Sequence, residues 1–169
     1  MWDYHFWQLD PFGYHLTNII LQVLVSFLVF LLVVRLHKDF SVSFSTAALF
    51  ALCPLAVESV TYISGRAELL MGSSLIAAML LFISSEDRNG AGRIIYLCFS
   101  VFFFILGLMS KELAVVFPLI IAAYACYFKR DKLNFKYFIN SVLIFFVIDL
   151  LYLALRLSFL NFSTYRSPE

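Results

Sequence analysis

The sequence predicts an all-α membrane protein, a polytopic bundle of about six transmembrane helices. Three observations carry that prediction. Of 169 residues, 63% are hydrophobic and 14% charged, whereas a soluble domain has roughly 45–50% apolar and 25% charged residues. The apolar residues fall into runs close to the ~20 needed to cross hydrocarbon. Lys and Arg concentrate on alternate connections between those runs, the pattern that fixes orientation in membrane proteins.

Taken in order, the first helix is predicted over residues 14–36 and the second over 42–63. Pro54 lies inside the second, where it removes a backbone donor and clashes with the preceding turn, so a kink or break is expected there. The third helix is placed at 67–85. The fourth (94–109) and fifth (113–128) are separated only by Ser110, Lys111 and Glu112. Together they are too long for one span, which predicts a tight hairpin with Lys111 and Glu112 at its tip. Each arm is slightly short, so the tip is expected to dip below the membrane surface. The sixth helix runs over 137–160. Residues 14–160 thus form the bundle, 1–13 lead into it, and 161–169 leave it as a tail on the outer face.

Charge sets the orientation. Connections after helices one, three and five hold Arg35, Lys38, Arg88, Arg93, Lys129, Arg130, Lys132 and Lys136, eight of the twelve Lys and Arg. By the positive-inside rule this face is cytoplasmic and the N-terminus is outside or lumenal. The outer face then collects Asp3, Asp10, Glu58, Arg66, Glu68, Lys111, Glu112 and Arg156, with His5, His15 and both tryptophans. A charge within a span is costly and marks a functional site by default.

Several of these residues fall at helical spacing. His15, Asn18, Gln22 and Ser26 share one face of the first helix. That face reads either as interhelical hydrogen bonding or as the polar wall of an outward cavity. Asp149, Tyr152 and Arg156 share a face of the sixth. There Arg156 either snorkels to headgroups or binds a lipid-linked phosphate through its planar donor fork. Ser64 and Glu68 suit a helix start, and Ser110 with Glu112 suits another. Glu58, Arg66 and Lys111 cap nothing and point to function.

Other classes find no support. No basic stretch is interleaved with aromatics, so nucleic acid is not an expected partner. Cys53, Cys98 and Cys126 are far apart in apolar sequence without metal spacing, and read as buried free thiols. No metal site is predicted; outer carboxylates offer oxygen ligands for a divalent cation, but their spacing selects none. Residues 1–15 lack the basic start of a secretory signal, which fits a bacterial inner membrane or an endoplasmic reticulum.

Four stretches in order, "FWQLDPFGYHLTNIILQVLVSFLVFLLVVRL", "ALFALCPLAVESVTYISGRAELL", "GLMSKELAVVFPLII" and "LLYLALRL", resemble the multispanning N-terminal half of the transmembrane and tetratricopeptide-repeat O-mannosyltransferases and their bacterial relatives. These are GT-C membrane glycosyltransferases. The resemblance implies a GT-C-like bundle that transfers a sugar, mannose, from a polyprenyl- or dolichyl-phosphate donor in the membrane lipid to a protein or glycan acceptor on the non-cytoplasmic face. By resemblance, Glu58, Arg66, Glu68, Lys111, Glu112 and Arg156 match the family's recurring polar positions. Combined with the charge map, this gives the expectation that Arg156, Lys111 and Arg66 bind the donor phosphate, with Glu58, Glu68, Glu112, His15 and Asn18 as supporting polar residues. Gln22 and Cys53 stand where the family commonly has histidine. The family's catalytic acidic residue lies in a first outer loop. Neither Asp3 nor Asp10 is assigned as that base, so the catalytic residue is unknown. The expectation is an incomplete piece of a longer enzyme, with part of a donor site and no complete catalytic centre.

Two other readings compete: a non-catalytic membrane scaffold or assembly subunit, and a small transporter with Asp149 as its ion site. The outward crowding of polar residues counts against the transporter. The topology is directly testable. Cysteines introduced as Asp10→Cys and Lys132→Cys should react with an impermeant thiol reagent from opposite sides of the membrane. Reaction from one side would break the predicted alternation.

Overall fold

A computed structural model of the chain describes residues 11–62, 65–128 and 135–159. Among them every regular element is helical: α1 (Pro11–His37), α2 (Phe40–Ala51), α3 (Pro54–Thr61), α4 (Arg66–Glu86), α5 (Ala91–Ser110), a 3₁₀ turn (Glu112–Val116), α6 (Phe117–Phe128) and α7 (Phe135–Phe159). The lead-in residues 1–10 with Asp3, His5 and Asp10, Ser64, the basic loop 129–134 and the tail 160–169 lie outside the described residues.

Among the described residues, four helical stretches are long and apolar enough to cross a membrane: Phe12–His37, Arg66–Glu86, Ala91–Ser110 and Asn140–Ser158. At 1.5 Å per residue, even the shortest rises close to the ~30 Å of a hydrocarbon core. The first, third, fourth and sixth predicted helices therefore stand, each with its ends within a few residues of expectation. The other two do not. The predicted helix 42–63 is split by Leu52 and Cys53 into α2 and α3, of 12 and 8 residues. Pro54 is the cause: it occupies the first turn of α3, where its missing N–H costs nothing, and Cys53 before it is extended. The predicted fifth helix begins as a five-residue 3₁₀ turn, which leaves α6 only 12 residues long.

The chain forms two compact units, Met1–Ala114 and Val115–Glu169. In the first, α4 and α5 form an antiparallel hairpin whose turn closes at Gly90, with φ +61°. Ala78, Met79, Phe82 and Ile83 of α4 and Phe104 and Leu108 of α5 are buried. The buried Ser100 hydroxyl donates to the Ala78 carbonyl at 2.7 Å, a bond that ties two helices where no water competes. Gly107 allows close approach, since a Cβ there would stand 3.1 Å from a Leu75 methyl. In the second unit, Phe117 of α6 meets Phe145 of α7 edge to face at 5.4 Å. Large apolar side chains such as Phe27, Phe99, Phe102, Leu150 and Leu151 are exposed, which is what hydrocarbon solvent permits.

The thiols are free, but Cys98 and Cys126 are exposed rather than buried and only Cys53 is half-buried. A sulfhydryl facing lipid loses nothing by exposure, so apolar context did not imply interior.

Among the described glycines of the first unit, Gly65 has the least room for a side chain. A Cβ there would meet the Ser59 carbonyl oxygen at 2.0 Å, a backbone contact that no rotamer change relieves. Gly72 has nothing within 4 Å of the same position. Gly65→Ala is therefore expected to lower the yield of monodisperse protein in detergent several-fold, whereas Gly72→Ala leaves it unchanged. Equal yields from both would refute the packing of α4 onto α3.

Candidate functional site

The N-terminal turn of α4 and the C-terminal end of α5 lie at the same end of their hairpin, and the sequence loads both with charge. Lys111 closes α5 in an extended conformation, φ −156° and ψ 140°, with its N–H on the Gly107 carbonyl. That geometry ends the helix and sends the side chain across to α4. There the Lys111 ammonium donates to Glu68 Oε1. The second carboxylate oxygen accepts from the Ser59 hydroxyl of α3 at 2.9 Å. One carboxylate thus joins three segments, bridging 43 residues to one side and nine to the other.

Two residues before it, Arg66 is half-buried, its guanidinium 5.8 Å from the Tyr14 ring centroid, within the reach of a cation–π contact. One turn beyond Tyr14, the fully buried Asn18 donates from Nδ2 to the carbonyls of Tyr62 at 3.1 Å and Val60 at 3.3 Å. These belong to the last turn of α3, whose carbonyls have no helical partner. The polar face predicted on α1 is present, and Asn18 gives it the interhelical hydrogen bonds expected of it. Ser26 turns inward on its own helix, to the Gln22 carbonyl. Gln22 is buried and lines a cavity of about 340 Å³ with Ile19, Val23, Ala51 and Val60. His15 is half-buried on the same helix.

The remaining predicted residues stand differently. Glu58 is exposed on α3, and its backbone carbonyl accepts from the Tyr62 N–H. Glu112 is exposed at the start of the 3₁₀ turn. Arg156 lies in the second unit, half-buried, and donates from Nη1 to the Tyr152 hydroxyl at 3.1 Å, as their spacing on one face predicts. Asp149 is buried two turns earlier on α7.

Two sequence-level assignments need correction. Ser110 caps no following helix; it is the last residue of α5 and its hydroxyl returns to the Leu106 carbonyl. Glu68 is more than a helix-start residue, because both its oxygens are committed to other segments. Sequence reasoning missed Ser59 and Tyr14. Ser59 carried no signal beyond its place one residue after Glu58, and Tyr14 sat in a run of aromatics. Among the described residues, no three His, Cys, Asp or Glu side chains gather in a way that would hold a metal.

Within the first unit Glu68 is thus paired with Lys111 at the positive end of the α4 dipole, with Arg66 two residues before it and the exposed Glu58 and Glu112 on the neighbouring segments. The Lys111 side chain is 31% exposed, so an anion such as a phosphate can compete for its ammonium.

Comparison with known proteins finds partial relatives. No family model matches the chain, and no solved structure matches it. A protein O-mannosyl-transferase of Caenorhabditis elegans is 33% identical over 113 residues, which is 65% of this chain and 15% of that protein. Protein O-mannosyl-transferase TMTC3 of Mus musculus is 35% identical over 105 residues, 62% of this chain and 11% of that protein. TMTC1 of Mus musculus is 35% identical over 109 residues, 64% and 12% respectively. Part of the chain is therefore homologous to a short region of these proteins, and the chain spans under a sixth of their length.

The Glu68–Lys111 pair is half-exposed, and such pairs contribute ~0–1 kcal/mol. Lys111→Ala and Glu68→Gln should each shift the apparent melting temperature in detergent by no more than a few degrees. A collapse of the fold in either variant would show that the pair is structural.

Proposed function

We propose that this chain forms part of the donor-binding region of a membrane mannosyltransferase, one that moves a mannose from a dolichyl- or polyprenyl-phosphate carrier to a protein or glycan acceptor on the non-cytoplasmic face. The observation that carries this reading is the half-exposed Lys111 ammonium held by Glu68 at the N-terminal end of α4, with Arg66 two residues before Glu68, in a chain partly homologous to protein O-mannosyl-transferases.

When the sugar leaves its carrier, negative charge develops on the lipid phosphate. Fixed cations stabilise that charge only if they are already in place. Glu68 supplies the placement for Lys111: it holds the ammonium at the helix end when no donor is bound, and yields it to a dianionic phosphate. Arg66, resting on Tyr14, adds a second cation without being pulled into the membrane. Arg156 of the second unit, whose guanidinium donates to Tyr152, is also proposed as a donor-phosphate ligand through its planar fork. Glu58 orients a sugar hydroxyl or a basic residue, and Glu112, His15 and Asn18 are its polar surroundings. The outer-face location follows from the charge asymmetry of the connections.

The test is transfer of labelled mannose from dolichyl-phosphate mannose in membranes containing the whole gene product. Lys111→Ala and Arg156→Ala are each expected to reduce transfer on the order of 100-fold, the size seen when one charge-stabilising donor is lost. Protein abundance should be unchanged. Undiminished transfer by both variants would remove the donor-phosphate assignment.

A further inference from the structure

The opposite end of the α4–α5 hairpin holds a second polar hollow, which the donor reading does not use. It has a volume of about 700 Å³ and lies between α1, α4 and α5. Leu31 and Val34 of α1 and Leu80 of α4 form an apolar floor, while Arg35, Ser84, Asp87, Arg88 and Tyr96 form a polar rim. Val34 is next to Arg35 and Leu31 one turn before it, so the floor runs from beside the guanidinium to about 6 Å further along the helix.

The two guanidinium groups are held in different ways. Arg35 is paired by Asp87 through one of its terminal nitrogens, which leaves the rest of its donor fork open. Arg88 lies over the Tyr96 ring, 4.0 Å from its centroid, and among the described residues nothing accepts a hydrogen bond from it. A cation–π contact fixes the plane of a guanidinium while its N–H edges stay available. With Asp87 as the one acid on the rim, the hollow carries a net positive charge. Lys38 and Arg93 also lie at this end, but Asp39 and Glu86 balance them, so the positive excess is that of the rim itself.

We propose that this hollow seats the headgroup of an anionic phospholipid, its phosphate on Arg88 and Arg35 and the first carbons of its acyl chains over Leu31, Val34 and Leu80. The occupant follows from the two halves of the lining. A free phosphate would satisfy the arginines and leave the apolar floor wet. A zwitterionic lipid would cover the floor but bring its own cation to a cationic rim. An anionic diacyl lipid matches both, and basic hollows between helices on the side facing an anionic leaflet favour such headgroups. The bound lipid would hold the α1 and α4–α5 ends at one depth, independently of any sugar transfer at the other end.

Native mass spectrometry of the chain in neutral detergent, titrated with phosphatidylglycerol and phosphatidylcholine of the same acyl chains, tests this. Phosphatidylglycerol should be retained over phosphatidylcholine by about fivefold or more, the factor expected for each basic residue near an anionic lipid. Arg88→Gln should abolish most of that preference and leave phosphatidylcholine retention as it was, which also reports an intact fold. Tyr96→Leu, which keeps the charge and removes the platform, should weaken the preference too, and it carries the test if Arg88→Gln cannot be purified. Inorganic phosphate in large excess should not displace the lipid. Equal retention of the two lipids, a preference unchanged in both variants, or displacement by inorganic phosphate would each overturn the proposal.

Discussion

A chain dissolved in hydrocarbon must satisfy every backbone N–H and C=O from within itself. The short helices α2 and α3 test that rule, because each ends where a spanning helix would continue. Between α2 and α3 the helical ladder stops, at Leu52 and Cys53 before Pro54. The short α3 that follows ends after eight residues, and the carbonyls of its last turn have no helical partners. Asn18 of α1 takes two of them, at Tyr62 and Val60. A carboxamide suits the task because one NH₂ carries two donors. The early end of α3 is therefore tolerated because α1 offers a buried amide at the right height. Smaller polar groups settle their own accounts nearby: the hydroxyls of Thr17 and Ser26 donate to carbonyls four residues earlier.

What the break gains is position. An unbroken helix through Pro54 would carry Ser59 and the following turn past the bundle. Split, α3 sits where Ser59 meets Glu68 and where Gly65 presses on the Ser59 backbone. Glu68 in turn meets Lys111. The contacts run in sequence from Pro54 through Gly65 to the charged cluster, and each depends on the one before. Exposed ion pairs of this kind add little to stability, so the cluster is better understood as a fixed arrangement of charge than as a clamp.

Much of this was legible in the sequence, and the limits follow from the solvent. Helix length and the alternation of basic connections depend only on hydrocarbon thickness and charge, so the spans of α1, α4, α5 and α7 could be read directly. Pro54 acts through local backbone sterics, and its break was visible for the same reason. The same-face pairing of Tyr152 and Arg156 is a matter of helical period. Burial was not legible. In water, inside and outside differ in polarity and leave an amphipathic record; in lipid both are apolar, so nothing marked Cys98 and Cys126 as outward or Phe104 as inward. Nor was the Glu68–Lys111 contact, because a pair 43 residues apart leaves no local trace. Glu68 was readable as a helix-start residue, and only the fold showed its oxygens already taken.

The α4–α5 hairpin carries one charged arrangement at each end: Glu68 with Lys111 at one, Arg35 with Asp87 and Arg88 over Tyr96 at the other. The 21 residues of α4 separate them by about 30 Å, the thickness of the hydrocarbon itself. Between them the pair is stitched by Ser100 on Ala78 and by Gly107 against Leu75, contacts that resist sliding of one helix past the other. A hairpin of this build fixes the depth of one end when the other is anchored. Anchoring by an anionic headgroup at the basic end would then hold Arg66 and Lys111 at the height of a carrier phosphate in the opposite leaflet, with no contact between the two sites. The two assignments share this rigid element but not a ligand or a residue, so loss of lipid preference and loss of transfer are separable consequences of different substitutions.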